Sequence, residues 1–526
     1  MKIVGLACGA HDTAYCIFEN GKVLIHEEYE RFSRIKEQQG DVLSFLFERN
    51  PNLEDVDIYS HFFMKWNGGL KQMYPDSFSK LEKIIESKNK KYLEISHHLA
   101  HAANAFFSSN FEKSIILSLD GGGEETQDGI NKTHESSFCL FYGEYNKIYK
   151  ILDLGMNLDI GGAWSKITKE VFGLSSGPPI GNQCGTIMAM AAIGNEPEKY
   201  ENDISEYIIT KNTKSFEKWK VLDEKEKYNL AASLQKSTEK IVLNTISPII
   251  IKFCKEKNIN NLCITGGVAL NGLLNYSLLQ KIEEIKNIYI PPVPYDAGLA
   301  IGCCQYIYYS YLNNQRDITE INASPYLGKK YHKDFIFNEI EKSKLQYTKA
   351  TNEDVVKLLS DQKIISIFNE GSESGRRALG NRSILADPRN LNIKDVLNSK
   401  IKHRQWFRPF APMILRECVN EWFESDLESP YMNIIMPIKK EKQHLVPAIV
   451  HFDGTGRLQT IKKTDNEWLY DLLTKWNLLT GIPILLNTSF NDREPIVETP
   501  EHAINCYLKT KIDYLYFPEI EVLIYK

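Results

Sequence analysis

Two apolar runs that close on glycines constrain this chain more than any other feature. Residues 114–120 (SIILSLD) run into Gly121-Gly122-Gly123. Residues 261–265 (NLCIT) run into Gly266-Gly267, ahead of a helical pattern through Leu270–Leu279. Short buried strands that end in glycine turns before helices predict an α/β core. The start of the chain adds antiparallel strands. Residues 2–8 (KIVGLAC) and 14–18 (AYCIF) read as strands around a Gly9-Ala10-His11-Asp12 turn, and Asn20-Gly21 reads as a second hairpin turn before VLIHEEYE. Residues 97–109 (HHLAHAANAFFSS) carry helix formers with apolar positions on one face and predict a helix.

With 526 residues the chain is too long for one ordinary domain. A loop-like stretch at 322–334 (NASPYLGKKYHKD) predicts the connection. Beyond it, EDVVKLLSDQKIISIFNEG reads as helix, strand and turn, opening a second α/β unit that ends in strands near 482–486 and 520–525. No clean repeat is visible.

The charge balance, 63 Lys+Arg against 68 Asp+Glu, creates no global basic field for nucleic acid. The positive charge is concentrated instead. Residues 376–416 hold ten Lys/Arg and only Asp387 and Asp395, while residues 1–340 carry a net negative charge. None of the ten cysteines has C-x-x-C spacing, so no zinc ribbon is expected, and isolated thiols suggest a reducing, cytoplasmic setting. Leu6-Ala7-Cys8-Gly9 resembles a lipoprotein box but lacks the roughly 7–15 apolar residues that should precede one. The apolar run around 241–254 is interrupted by polar residues and Pro248, so no membrane span is expected.

Three constellations carry chemistry. His97 and His101 lie four apart in H-H-x-x-H, on one face of a helix, where two imidazoles can grip one metal. Asp120 closes the 114–120 strand and Asp296 opens a helix in PYDAGLAIG, and carboxylates with imidazoles suit Fe(II), Zn(II) or Mn(II). A bland reading makes Asp296 a helix cap. The glycine pairs Gly121-Gly122 and Gly266-Gly267 would let backbone approach a phosphate or nucleoside closely. Finally, GRRALGNRSILADPR (375–389) and IKHRQWFRPFAP (401–412) set many guanidinium groups beside apolar residues, an arrangement suited to phosphates and carboxylates.

These blocks, in order HHLAHAANAFF, SLDGGGE, ITGGVALN, YDAGLAIG, GRRALGNRSILADPR, IKHRQWFRPFAP, SPYM, DGTGRLQT and GIPILLNTSFN, resemble the O-carbamoyltransferases of nodulation-factor, cephamycin and tobramycin biosynthesis. The resemblance covers nearly the whole chain. It implies an α/β protein with an actin/sugar-kinase-like (TsaD-like) domain at 1–335 and a YrdC-like α/β domain at 336–526. The second would make carbamoyl-adenylate from ATP, with Mg(II), and carbamoyl phosphate. The first would transfer carbamoyl to an acceptor hydroxyl at a metal, Fe(II) before Zn(II) or Mn(II). By the resemblance, the metal ligands are His97, His101, Asp120 and Asp296. The G-H-D turn of the family is matched by Ala10-His11-Asp12, which puts His11 and Asp12 in the catalytic role. Lys402, Arg404, Arg408, Arg457, Asn487, Ser489 and Asn491 match the substrate-binding runs.

The expected partners are ATP, carbamoyl phosphate and an acceptor such as a sugar, an antibiotic-like metabolite or a hydroxymethylated nucleobase, with no membrane and a homodimer left open. Two departures from the family pattern stand out. CGTIMAMA at 184–191 lacks a carboxylate and a lysine, and D-R-E-P follows NTSFN where G-E-P is usual. The rival readings are an actin-superfamily small-molecule kinase, the hydrogenase-maturation carbamoyltransferase, a tRNA-modifying enzyme, and a non-enzymatic ATP-dependent interaction protein.

Overall fold

Three hairpin-connected strands open the chain: β1 (Lys2–Ala7), β2 (Ala14–Glu19) and β3 (Lys22–Glu28). Asn20 (φ 49°) and Gly21 (φ 89°) make the left-handed pair that a tight two-residue hairpin needs. β4 (Ile58–Phe62) and β5 (Lys91–Ile95) then add in parallel beside β1, giving the order β3-β2-β1-β4-β5.

A second five-stranded sheet repeats this plan with β6 (Lys113–Gln127), β7 (Lys132–Glu144), β8 (Lys147–Asp153), β11 (Asn261–Thr265) and β12 (Asn287–Tyr289). A small ribbon of β9 (Ser176–Gly177) and β10 (Gly181–Asn182) intervenes in sequence. Again the first three strands are antiparallel and the last two add in parallel beside the first. The duplicated order agrees with the actin/sugar-kinase-like expectation for the first half. It left no repeat in the sequence because a sheet order is set by pairing partners, which many apolar strands can satisfy.

The computed structural model describes residues 1–64, 68–127, 132–319 and 324–526. Two compact units result, Met1–Ala323 and Ser324–Lys526. Of the connection expected at 322–334, residues 322 and 323 lie outside the described residues. Among the described residues no helix is long and apolar enough to cross a membrane, and all ten cysteines are free.

One expectation is corrected. The glycines at 121–123 do not end a strand before a helix. They lie inside β6, where the pairing with β7 shifts register between Leu119 and Gly123. A bulge and a turn share the same glycine signature, and only the continuing partner strand separates them.

Between the sheets of the first unit, the helix His97–Ser108 packs on β6 and against the helix Leu299–Gln305, which also packs on β1. The two helices touch through Gly302, where a Cβ would lie 1.9 Å from the Ala100 carbonyl oxygen. That approach delivers Asp296, at the start of a short 3-10 turn leading into Leu299–Gln305, to the histidine-bearing helix.

The second unit is one nine-stranded mixed sheet. Its strands are β13 (Gln346–Lys349), β14 (Ile365–Ile367), β15 (Ser383–Ala386), β16 (Ala411–Leu415), β17 (Ile434–Pro437), β18 (Thr455–Ile461), β19 (Ile484–Ser489), β20 (Tyr514–Phe517) and β21 (Val522–Tyr525), in the order β13-β21-β20-β14-β15-β19-β16-β18-β17. The helices Asn352–Ser360 and Glu467–Thr480 bury Val355, Leu359, Leu472 and Trp476 with Ile365, Met413 and Leu485 of the sheet. The α/β class expected from the sequence therefore holds in both units.

Candidate functional site

The helix His97–Ser108 sets His97 and His101 one turn apart, with ring centroids 4.8 Å from each other. His98 turns away. Its Nε2 donates to the Ser136 carbonyl and its Nδ1 accepts from Ser118 Oγ, both at 2.7 Å, and burial pushes its pKa down to about 4. It is a satisfied core histidine.

Asp120 arrives from β6, at the start of the bulge that follows Leu119. Its Oδ1 accepts the backbone N–H groups of Gly121 (2.8 Å) and Gly267 (3.3 Å), which aims Oδ2 at His101 Nε2 (2.9 Å) and His97 Nε2 (3.2 Å). Asp296 adds a second carboxylate, with Oδ1 3.5 Å from His101 Nε2 and 3.8 Å from His97 Nε2. It is the first residue of the 3-10 turn, and Tyr295 holds the N-cap position, so the helix-cap reading does not hold. One ligand atom from each of the four residues lies within 4.8 Å of all the others.

The electrostatics favour a cation here. Burial alone would lower the His101 pKa, but hydrogen bonds and charge from Asp120 and Asp296 push it up to about 9. Burial would raise the Asp120 pKa, yet the two histidines hold it well below the ordinary carboxylate range. A proton thus occupies the position between imidazole and carboxylate that a metal would take.

His11 sits in the turn between β1 and β2, with its side chain 47% exposed. Its Nδ1 donates to Asp12 Oδ2 at 2.8 Å and lies 4.0 Å from Asp296 Oδ2. Because an ionised carboxylate only accepts, that bond puts the proton of the neutral ring on Nδ1 and makes Nε2 the acceptor nitrogen. Asp12 itself is buried and in the left-handed region (φ 57°), so it orients His11 and does not face outward.

The glycines have a different job from the expected one. Gly121 and Gly267 spend their N–H groups on Asp120. Gly122 lies in the bulge with φ 153°. Gly266 has φ 86°, donates to the Pro294 carbonyl at 2.7 Å, and would place a Cβ 2.0 Å from the Leu119 carbonyl oxygen. Gly266→Ala is therefore expected to cost roughly 2–4 kcal/mol in thermal or denaturant unfolding. Gly173→Ala, with φ 65° but nothing within 4 Å, should cost only about 1 kcal/mol. Equal losses would show that the crowding at Leu119 carries no weight.

In the second unit the basic block divides by role. Arg382 is fully buried, with NH1 donating to the Asn369 carbonyl and its guanidinium 3.6 Å above the Phe368 ring, and Arg389 pairs with Asp387 at 2.6 Å. Both hold the fold. Arg404, Arg408 and Arg457 differ. Arg404 is held by Asn398 Oδ1 (2.8 Å) and the Pro409 carbonyl (3.3 Å), and Asn398 Nδ2 also donates to the Trp406 and Arg408 carbonyls (3.0 Å each). Neither Arg404 nor Arg457 has a carboxylate in ion-pair reach among the described residues. Burial, with the neighbouring charges of Arg377, Arg408 and Arg404, holds Arg457 well below the usual guanidinium range. Burial and then Arg408 do the same to Arg404, and burial takes Arg408 down to about 10. Arg404 and Arg457, buried beside like charge, are suited to an anion.

Lys402 is brought together with Ser489 and Asn491, as sequence order alone could not show. Its ammonium donates to the Ser489 carbonyl, Ser489 Oγ (3.2 Å), the Asn491 carbonyl (3.0 Å) and Asn491 Oδ1 (2.6 Å). Asn487 is buried, with Nδ2 donating to Gln459 Oε1 (2.7 Å) and the Ala378 carbonyl (3.1 Å). Sequence reasoning did not name Arg377, whose charge bears on Arg457, although it lay inside a block already singled out.

A carbamoyltransferase C-terminus family model matches residues 356–523, and a carbamoyltransferase N-terminus model matches residues 192–304. Nodulation protein NolNO of Sinorhizobium fredii is 30% identical over 96% of this chain and 78% of its own length. The chain belongs to the carbamoyltransferase family. An uncharacterised protein of Synechocystis, sll1178, is 30% identical over 98% of this chain and 95% of its own. Nodulation protein NolO of Bradyrhizobium diazoefficiens is 29% identical over 80% of this chain and 77% of its own. Among solved structures, full-length HypF in a phosphate- and nucleotide-bound form aligns with a TM-score of 0.38 and 17% identity, covering 60% of this chain and 47% of that one. This carbamoyltransferase is thus an enzyme of carbamoyl transfer, and the two family models fall one in each unit.

Proposed function

We propose that this carbamoyltransferase is an ATP-dependent O-carbamoyltransferase that runs one half-reaction in each unit. In the C-terminal, YrdC-like unit, water cleaves carbamoyl phosphate to carbamate and inorganic phosphate, and a carbamate oxygen then attacks the α-phosphorus of ATP, giving carbamoyl-adenylate as pyrophosphate leaves. In the N-terminal, TsaD-like unit, an acceptor hydroxyl oxygen attacks the carbamoyl carbon. AMP leaves, and the hydroxyl proton passes to His11 Nε2. Carbamate is a poor electrophile, and the mixed anhydride with AMP supplies the leaving group.

The observation that carries this reading is the convergence of His97, His101, Asp120 and Asp296, with His11 bonded to Asp12 at its edge. The four residues fit a divalent transition metal. Their imidazole–carboxylate separations of 2.9–3.8 Å suit donors about 2.0–2.2 Å from a shared ion. Bound there, an ion such as Fe(II), Zn(II) or Mn(II) would supply Lewis-acid polarisation of carbamoyl or phosphate oxygens. The chain's own part is to place His11 as base, with Asp12 fixing its tautomer, and to aim Asp120 through the Gly121 and Gly267 amides.

The arginines at 404, 408 and 457 serve the adenylating half-reaction, whose substrates are both polyanions. Lys402 holds Ser489 and Asn491 in place. Arg404→Ala and Arg408→Ala are each expected to slow carbamoyl-phosphate-dependent pyrophosphate release by roughly 10–100-fold, the loss of about 1.5–3 kcal/mol for a charged hydrogen bond. Folded variants that release pyrophosphate at the wild-type rate would place the nucleotide elsewhere. A kinase would consume ATP without carbamoyl phosphate, and so would an ATP-dependent interaction protein. The same assay therefore separates carbamoyl transfer from both of these readings. A panel of sugars, hydroxymethyl metabolites and hydroxymethylated nucleobases, read by mass, identifies the acceptor class.

A further inference from the structure

His451 is buried in the second unit, in the turn before β18, with 9% of its surface exposed. Its Nδ1 lies 3.1 Å from Thr455 Oγ1, and Thr455 Oγ1 donates to Asp453 Oδ1 at 2.7 Å. The chain of bonds decides the tautomer. A hydroxyl has one proton, and the Asp453 carboxylate can only accept it, so His451 must donate from Nδ1 to Thr455. Nε2 is then a bare lone pair. It is buried and has no hydrogen-bond partner. Burial, and then the charges of Arg457 and Lys394, push the imidazole pKa down to about 3, so the acceptor does not become a donor at neutral pH.

The surroundings limit what can satisfy this lone pair. Phosphate and carbonyl oxygens are acceptors and cannot. The next residue, Phe452, is 49% exposed and stands edge-to-face with Trp406 (centroids 5.4 Å, 84°), which is 54% exposed. Lys394 covers one face of Phe452 at 4.6 Å. Trp406 lies on the loop that Asn398 ties to Arg404 and Arg408, and Arg457 lies on β18 just beyond Thr455. The His451 acceptor, the Phe452–Trp406 pair and the guanidinium groups of Arg404, Arg408 and Arg457 thus share one neighbourhood of the second unit, where a nucleotide would bring both a base and phosphates.

We propose that His451 is a specificity-determining residue that accepts a hydrogen bond from the exocyclic amine of a purine stacked on Trp406, with Asp453 and Thr455 as positioning residues that keep Nε2 unprotonated. The inference rests on the reading of the second unit as the adenylating site, and it selects adenine over a 6-oxo purine. Inosine triphosphate is the probe, since it replaces the amine with an oxygen that would face the lone pair.

The test is calorimetric binding of ATP and inosine triphosphate to the full-length chain, beside pyrophosphate release with each nucleotide. Wild type should favour ATP by roughly 10–100-fold. His451→Phe should bring the ratio close to one. Thr455→Val keeps the imidazole but frees Nδ1 from its acceptor. It should narrow the preference or invert it, because Nε2 can then carry the proton and meet the 6-oxo group. An unchanged ratio in both folded variants overturns the proposal and leaves an imidazole facing only buried water. A ratio that holds while the KM for carbamoyl phosphate alone rises overturns it in favour of contact with the carbamoyl amide. Equal binding of the two nucleotides by wild type also overturns it. If wild type binds ATP selectively, His451→Phe abolishes the selectivity and no nucleotide releases pyrophosphate, the base-reading role stands and the adenylation reading fails.

Discussion

His11→Asn lowers the rate of carbamoyl transfer by roughly 10²–10⁴, the usual worth of a positioned general base, and leaves the rest of the enzyme intact. Asparagine can still donate to Asp12 from its amide and so keeps the turn, but it cannot take a proton at neutral pH. Metal content, thermal stability and pyrophosphate release should therefore match wild type. When transfer limits turnover, the wild-type rate should fall on acidification as the imidazole is protonated, and the residual rate of the variant should not follow it. Full-speed transfer by His11→Asn would remove His11 from the chemistry. Joint loss of stability and metal would give it the humbler task of holding the turn against Asp12, to which it is bonded at 2.8 Å.

Asp120→Asn and His101→Ala should separate the two half-reactions in the same direction, but through the metal. Asp120 accepts two backbone amides through Oδ1 and faces both imidazoles through Oδ2, so its amide analogue keeps the shape and loses the charge. Both variants should lose bound transition metal on elemental analysis and at least roughly 10² in transfer, while pyrophosphate release stays near wild type. A chelator should reproduce the effect on wild type, and re-addition of the ion should reverse it. In the metal-free protein, Asp120→Asn should also bring His101 down from about 9, because the carboxylate that raises it has gone. Metal-free protein that transfers carbamoyl at the wild-type rate would remove the ion from the reaction.

Much of this arrangement was legible in residues. The i, i+4 spacing of His97 and His101 fixes their shared face, and a helix period explains why His98 turns inward to Ser118 and Ser136. Asp120 and Asp296 stand out locally as a strand end and a helix start, but joining them to the histidines as one ligand set rests on the family resemblance, since nothing local pairs positions so far apart. The glycine run at 121–123 was misread because a bulge leaves the same mark as a turn, and the partner strand that distinguishes them is distant in sequence. The charge density at 376–416 pointed to anions but could not sort its members. Arg382 and Arg389 are consumed by backbone carbonyls and Asp387, and Lys402 by four acceptors, and such saturation exists only once the chain has folded. His451 was invisible for the same reason. A lone histidine acquires its meaning from Thr455 and Asp453, through a bond pattern no spacing rule encodes.

The central claim, that one chain activates carbamoyl phosphate with ATP and delivers the carbamoyl group to an alcohol, is tested most directly by isotope. The full-length enzyme is incubated with carbon-13-labelled carbamoyl phosphate, ATP, a divalent metal and a panel of hydroxyl compounds, and the products are weighed. Labelled carbamate ester on an acceptor, formed in step with AMP and pyrophosphate and absent when either ATP or carbamoyl phosphate is withheld, is the predicted result. Label that reaches an acceptor without ATP, or ATP turned over at full rate without carbamoyl phosphate, would contradict it.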